Sequence, residues 1–527
     1  QEIPVASIET QRGMVLYHGV GTGKTLTAVA SVECLLRTFP GTRALIITPP
    51  GLQVNFKASL ARWGVSPLRM VYLYRFLTIR AFYNEYNHRS DDELREYMSN
   101  RILVIDESHN LKFHLPPEKE KPSAEGSAPR TTKTVYSTSG IFGLHVPAAT
   151  TTVENIGKVA TFYGRVSRSA FRVILLTATP VVNRPTDLIS QISMVDGTRY
   201  MNVDAFDRNV WDRRRGPMPM FNDYFGCRVS DYNPPQGSST HFPARRNHVV
   251  SLIMDDVMLE KYDEIETAKR TNNVPAIADA DTEATEEALS RADTVLDSSL
   301  ARDDPTMAPL LVRSGVFFDR LRQSTNNLEG PDNPKVQFVL TLLQDVIVNK
   351  ARTVIYSNYV IGSNDHPTAL TYITAWLGAH HVPYGVISGN TSKPARAKIV
   401  EAYNNGTAVV LIISRAGGEG LDLKETRQIV ILEPYWNRAI IEQVIGRGIR
   451  YDSHDKLPVE GRTVDIYELL LVKPGSPAEK LEALRHVRTK LNKDRPLPIS
   501  VDEMMYNFSA NKQAEIDRFT DALRRVA

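Results

Sequence analysis

The feature that most constrains this chain is the run Gly19-Val20-Gly21-Thr22-Gly23-Lys24-Thr25, which follows directly on the apolar residues Met14-Val15-Leu16-Tyr17. A strand that ends in glycines and opens into a helix, here from Thr25 to about Leu36, turns several backbone N–H groups toward one point at a helix N-terminus. Such a nest holds a polyphosphate. Lys24 is placed to reach the β- and γ-phosphates, and Thr25 to set its hydroxyl on Mg²⁺. His18 stands where the longer G-x-x-x-x-G-K-[ST] pattern has its first glycine, so the loop keeps the shorter GxGKT form.

Two further elements complement this loop. Ile102-Leu103-Val104-Ile105 reads as a buried strand and ends in Asp106-Glu107-Ser108-His109. A carboxylate at the C-terminal end of a parallel strand beside a phosphate loop is placed to hold the metal that Thr25 also touches. Its neighbour Glu107 can orient and deprotonate an attacking water. Far downstream, Gln443-Val444-Ile445-Gly446-Arg447-Gly448-Ile449-Arg450 sets two arginines three residues apart, on one helical face. Two guanidinium groups pointing one way suit a γ-phosphate whose charge must be stabilised during transfer.

With these motifs in this order, residues 10 to 475 resemble a superfamily 2 helicase-type ATPase with two RecA-like lobes. Ala44-Leu45-Ile46-Ile47-Thr48-Pro49-Pro50 is similar to the strand and loop that touch the nucleic-acid backbone in that family. Leu176-Thr177-Ala178-Thr179-Pro180 resembles the segment that couples hydrolysis to lobe movement. Val354-Ile355-Tyr356-Ser357-Asn358 resembles the first strand of the second lobe, and the run from Ser414 to Leu423 the loop that meets both nucleic acid and nucleotide. Thr179-Pro180-Val181-Val182-Asn183 and Glu433-Pro434-Tyr435-Trp436-Asn437 are similar to the TPxxN and PxWN signatures of Swi/Snf-type translocases. The arginine motif departs from the DRxHRxGQ usual there. Its GRxIR form, followed by Ser453-His454 and Leu457-Pro458, looks most like nucleoside triphosphatase I and the early-transcription-factor ATPases of poxvirus-like large DNA viruses.

The resemblance implies ATP and Mg²⁺ as cofactors, with Gly19 to Thr25, Gly420 and Asp422 around the nucleotide and Thr25 and Asp106 on the metal. Lys24, Asp106, Glu107, Gln443, Arg447 and Arg450 are the expected catalytic set. Thr48, Pro49, Asn358, Ser414, Arg415 and Gly418 are expected to face nucleic acid, and His109, Thr177 and Thr179 to couple the two events. It further implies double-stranded DNA as partner, work with a viral multisubunit RNA polymerase or transcription factor, and an intracellular location in virions and cytoplasmic factories. Two alternatives stay open: a strand-separating DNA or RNA helicase, and a promoter-binding or scaffold subunit. The family carries a base-recognition element ahead of its first strand, whereas this chain opens almost on that strand, so a longer natural chain is expected.

At 527 residues, 42% hydrophobic and 23% charged, the chain has the composition of a multidomain globular protein. No apolar stretch approaches a membrane span, so no membrane partner is expected. Cys34 and Cys227 alone allow neither a disulfide framework nor a thiolate zinc site. The net charge of +3 hides an asymmetry: Asp255 to Asp304 holds fifteen acidic and five basic residues, which leaves +13 on the remainder. That permits a positive nucleic-acid track with an acidic module facing away, or simply a solvated acidic helix pair.

The expected architecture is α/β. The first RecA-like lobe spans 1–200, with strands near 14–18, 44–48, 102–106 and 172–177 and a polar insertion near 113–153. A largely helical, acidic insertion fills 201–330. The second lobe spans 331–475, with strands near 353–357, 384–388, 408–413, 429–432 and 463–469. A basic helical extension, 476–527, carries two capping boxes, at Ser476 and Ser500, and either braces the second lobe or touches DNA. Within 201–330, Arg208, Arg213, Arg214 and Arg215 around Trp211 suit phosphate and stacking contacts, or mark a solvated helix end.

Overall fold

The computed structural model describes residues 8, 10–19, 22–111, 150–179, 181, 184–197, 201–232, 241–270, 315–359, 367–414, 421–435, 437–480 and 497–527. The side chains of 150–158, 268–270 and 315–320 are not among them. The polar insertion from 113 to 149, most of the acidic segment and the basic stretch 481–496 lie outside the described residues.

The strands, in chain order, are β1 (Gly13–His18), β2 (Arg43–Ile47), β3 (Tyr74–Leu77), β4 (Arg101–Asp106), β5 (Arg172–Thr177), β6 (Trp211–Asp212), β7 (Gly216–Pro217), β8 (Val229–Tyr232), β9 (Ala244–Ile253), β10 (Arg352–Tyr356), β11 (Tyr384–Ile387), β12 (Val410–Ile413), β13 (Thr426–Ile431) and β14 (Thr463–Val472). Two six-stranded sheets result, ordered β3-β2-β4-β5-β1-β8 and β11-β12-β10-β13-β14-β9, and every pairing in them is parallel. Strands such as Ile102–Ile105 and Val410–Ile413 are buried throughout because helices cover both faces, which is why they read as unbroken apolar runs. The helices used below are α1 (Lys24–Thr38), α2 (Asp256–Arg270), α3 (Gly315–Asn327), α4 (Pro334–Asn349), α5 (Arg438–Gly448) and α6 (Val501–Arg524).

Three sheet strands fall where the sequence gives little sign of them. Tyr-Arg-Phe-Leu at β3 and Val-Ser-Asp-Tyr at β8 are edge strands, half exposed and partly polar. The ten-residue β9 opens Ala-Arg-Arg-Asn-His and is mostly exposed, as an edge strand can be. The expectation of a largely helical insertion over 201–330 therefore needs correcting. Residues 229–253 give each sheet its last strand, so this part of the chain completes both lobes, while α2 and α3 remain helical.

The described end of the tail packs on the fold, while its basic stretch 481–496 lies outside the described residues. Ser500 caps α6 with a full capping box, its hydroxyl accepting from Glu503 N–H and the Glu503 carboxylate accepting from Ser500 N–H. The 24 residues of α6 reach roughly 36 Å, long enough to serve two cores. Val501, Met504, Met505 and Phe508 pack into the second lobe with Ile466 and Leu471, whereas Ile516, Phe519 and Leu523 pack into the first with Phe221, Phe225 and Trp211. Trp211 is thereby buried, its ring edge-on to Phe519 at 5.0 Å, so it is no stacking platform for bases. Arg213 pairs with Glu515 of α6 at 2.9 Å.

Candidate ATPase site

The phosphate loop leaves β1 at its C-terminal end, and Gly23 (φ 92°) takes the left-handed conformation that lets α1 start at Lys24. Val20 and Gly21 lie outside the described residues. Thr22 closes the turn, donating from both N–H and Oγ1 to Gly19 O. Lys24 Nζ donates to the carbonyls of His18 (3.0 Å) and Gly19 (3.2 Å), so its ammonium rests on the loop's own backbone. Burial pushes Lys24 below the usual lysine range, Glu107 and Asp106 oppose this, and Arg450 and Arg447 of the second lobe add to it. Residues more than 420 positions apart in the sequence are thus brought toward one another.

Asp106 ends β4 as a buried residue. Its Oδ2 accepts from Thr48 Oγ1 at 3.1 Å and its Oδ1 from Glu107 N–H at 3.0 Å. Burial, reinforced by Glu107, raises its pKa to about 6 despite Lys24 and the Thr48 bond. Glu107 sits at φ 53°, a strained conformation for a residue with a side chain, and its Oε2 is buried with no hydrogen-bond partner among the described residues. A carboxyl with a raised pKa, a buried Glu107 oxygen that lies 3.4 Å from His109 Nδ1, and an ammonium leaning on carbonyls are what Mg²⁺ and a polyphosphate would satisfy. The residues fit the group: Thr25 and Asp106 would hold the metal, and Lys24 the phosphates.

Thr48 was expected on the nucleic-acid face. It is fully buried and orients Asp106 instead, while Pro49, next along, is half exposed. Behind the carboxylates, His109 Nδ1 lies 3.1 Å from Thr177 Oγ1 and 3.5 Å from Thr179 Oγ1, and Thr179 N–H donates to Thr177 Oγ1. The three expected coupling residues thus form one hydrogen-bonded chain from β4 to the end of β5.

From the second lobe, Gln443 and Arg447 lie one turn apart on α5, both half-buried. Arg450, just past the helix, donates from Nε to Gly446 O at 3.0 Å and lies 3.7 Å from Asp422. Burial lowers the Arg450 pKa, and Asp422 opposes it. Asn358 is half-buried and committed internally: its N–H and Nδ2 donate to Glu433 Oε1 at 2.5 and 3.0 Å, and its Oδ1 accepts from Tyr356 OH. These bonds give Asn358 a structural role beside its expected nucleic-acid contact. Ser414 closes β12 and is half exposed; Arg415, Gly418 and Gly420 lie outside the described residues. Sequence reading passed over Glu433, whose only local signal is its place straight after the apolar run Ile429–Leu432.

Comparison with known proteins finds helicase-like relatives. Residues 334–452 match the helicase conserved C-terminal domain. A protein of Acanthamoeba polyphaga mimivirus named as an ATP-dependent RNA helicase is 27% identical over 90% of this chain and 89% of its own length. A helicase of Invertebrate iridescent virus 3 is 23% identical over 98% of the chain but 51% of its own length, so this chain spans about half of that relative. The termination factor NPH-I homologue of African swine fever virus is 36% identical over 21% of the chain and 16% of its own length. The match over residues 334–452 and the mimivirus relative, beside the phosphate loop and the carboxylate pair, mark the chain as an ATP-hydrolysing, helicase-like enzyme.

Proposed function

We propose that the chain is a viral ATP-driven motor that translocates on duplex DNA in the service of transcription. What supports the motor reading is the phosphate loop and the Asp106–Glu107 pair in one lobe, with Lys24 on the loop's carbonyls and Thr48 on Asp106; Arg447 and Arg450 of the other lobe complete the site in this reading. The triphosphate lies on the loop from Gly19 to Thr25, with Lys24 against its β- and γ-phosphates. Bound Mg²⁺ supplies charge neutralisation of those phosphates. Glu107 takes the proton of the attacking water, and Arg447 and Arg450 stabilise the charge that develops in transfer, with Gln443 sensing the γ-phosphate. Because the arginines belong to the other lobe, hydrolysis requires a closed cleft.

Nucleic acid lies across both lobes, near Pro49 on one side and the segment from Ser414 through Arg415 and Gly418 on the other. Its binding favours the closed form and so stimulates hydrolysis. The chain from His109 through Thr177 to Thr179 carries the state of the carboxylates toward that track. Contacts to phosphates dominate, so the motor itself reads little sequence. The Swi/Snf-like signatures support a duplex track, and the NPH-I-like arginine motif supports a transcriptional setting with a multisubunit polymerase, in virions and cytoplasmic factories.

The test is steady-state ATP hydrolysis with no nucleic acid, duplex DNA, single-stranded DNA and RNA, beside Lys24→Ala. Duplex DNA is expected to stimulate most, and the variant to lose the activity. RNA stimulation in its place would move the assignment to the RNA helicase reading that the mimivirus relative's name favours. A flat rate on every substrate would leave the scaffold reading standing.

A further inference from the structure

We propose that Tyr232 is the platform on which the nucleotide's base stacks; this rests on the ATP reading of the same site. Strand order sets the direction in which a bound triphosphate must run. Asp106 and Glu107 lie at the end of β4, two strands from β1 on one side, while β8 borders β1 on the other. A triphosphate with its γ end toward those carboxylates crosses the end of β1, and its nucleoside emerges over β8. Ligands of open α/β sheets sit outside the carboxyl ends of the strands, which is where β8 ends at Tyr232.

The backbone there is part of the phosphate loop's support. His18 and Tyr232 are register partners, and Gly19 N–H donates to Tyr232 O at 3.0 Å. The Tyr232 side chain is 44% exposed and its hydroxyl makes no hydrogen bond among the described residues, so the fold does not consume the ring. It stands edge-on to the buried His18 ring at 5.7 Å, and His18 Nε2 lies 3.3 Å from Ser230 Oγ on the same strand. Burial and the nearby Lys24 push the His18 pKa down to about 4, so the imidazole beneath the tyrosine is neutral. On the opposite face of β8, Asp231 accepts from Arg524 of α6 at 3.0 Å. Tyr232 is therefore an exposed aromatic on a strand fixed from both sides, where a base must pass. Every base offers a π-face, so stacking with no edge-reading group tolerates purines and pyrimidines alike.

The experiment compares wild type, Tyr232→Ala and Tyr232→Phe in binding ATP and inorganic tripolyphosphate, with Lys24→Ala as control. Tyr232→Ala is expected to weaken ATP about tenfold, the order of one lost base–aromatic stack, with tripolyphosphate binding, kcat at saturating ATP and melting temperature unchanged. Tyr232→Phe should match wild type. Unchanged ATP affinity in Tyr232→Ala, or an equal loss for tripolyphosphate, overturns the platform while leaving the ATP reading intact. Wild type that binds neither ligand, with Lys24→Ala no different, removes the ATP reading itself and the platform with it.

Discussion

The ends of β4 and β13 begin from almost the same sequence and finish in opposite states. Each is a buried apolar run closed by an acidic residue, Ile102–Ile105 before Asp106 and Ile429–Leu432 before Glu433. Glu433 is fully buried and saturated: it accepts from Ser357 Oγ, from Asn358 N–H and Nδ2, and from Asn326 Nδ2. Asp106 accepts from Thr48 and one backbone N–H, holds a raised pKa, and precedes a strained Glu107 whose buried Oε2 makes no hydrogen bond among the described residues and lies 3.4 Å from His109 Nδ1. A carboxylate satisfied by its own fold is scaffold; one that keeps unused acceptor capacity beside a phosphate loop is a candidate site. The difference lies in the donors that tertiary structure brings up, not in the strand.

The largest expected break in this comparison is Glu107→Gln. Steady-state hydrolysis should fall by about 10²- to 10⁴-fold, the usual worth of a general base, while ATP binding persists. A loss of binding of the same size would recast Glu107 as a ligand-holding group. Next, Glu433→Ala should cost the fold and not the chemistry. With buried donors on Ser357, Asn358 and Asn326 left unpaired, denaturant melts should show a loss of about 3 kcal/mol, and an unaltered midpoint would sink the scaffold role.

Asp106→Asn should move stability the other way. A carboxylate whose folded pKa is raised to about 6 lowers stability above that pH, and the penalty fades as pH falls toward its unfolded value near ~3.9. Metal-free Asp106→Asn should therefore melt higher than wild type by a few degrees at pH 7.5, the gap closing by pH ~4, although hydrolysis is lost. The smallest effect belongs to Thr48→Val. The hydroxyl's bond lowers the Asp106 pKa, so its removal should shift the acid limb of kcat/KM upward from about pH 6 by less than ~1 unit. An unmoved limb would show that the bond does not tune the acid.

Much of the site is legible in sequence because it is built from local segments. Gly19 to Thr25 is one strand, one turn and one helix start; Asp106-Glu107 ends one strand; Arg447 lies in the last turn of one helix and Arg450 two residues beyond its end. Where the reading went astray, the determinant was non-local. Thr48 sits in a segment that resembles a nucleic-acid loop, but β2 pairs with β4 and the hydroxyl turns onto Asp106. Trp211 among arginines looks like a stacking residue until Phe519, more than 300 positions later, covers it. Edge strands β8 and β9 carry too few apolar residues for their pattern to show, since half of each faces solvent.

A similar division appears along α6. Its start is written in four residues, Ser500 to Glu503, because a capping box is a local hydrogen-bond exchange. That Asp502 meets Lys335 at 2.6 Å in a fully buried pair, or that Phe519 lands among Phe221, Phe225 and Trp211, is written nowhere along the chain. By itself the sequence determined the α/β class, the phosphate loop, the carboxylate pair and the arginine motif, since each needs only neighbours within a turn or a strand. Tertiary structure alone decided which acid is satisfied and which is left for a ligand, that one helix packs on both lobes, and that Tyr232 borders the phosphate loop. Those outcomes depend on burial and on partners distant in sequence, and no local pattern encodes either.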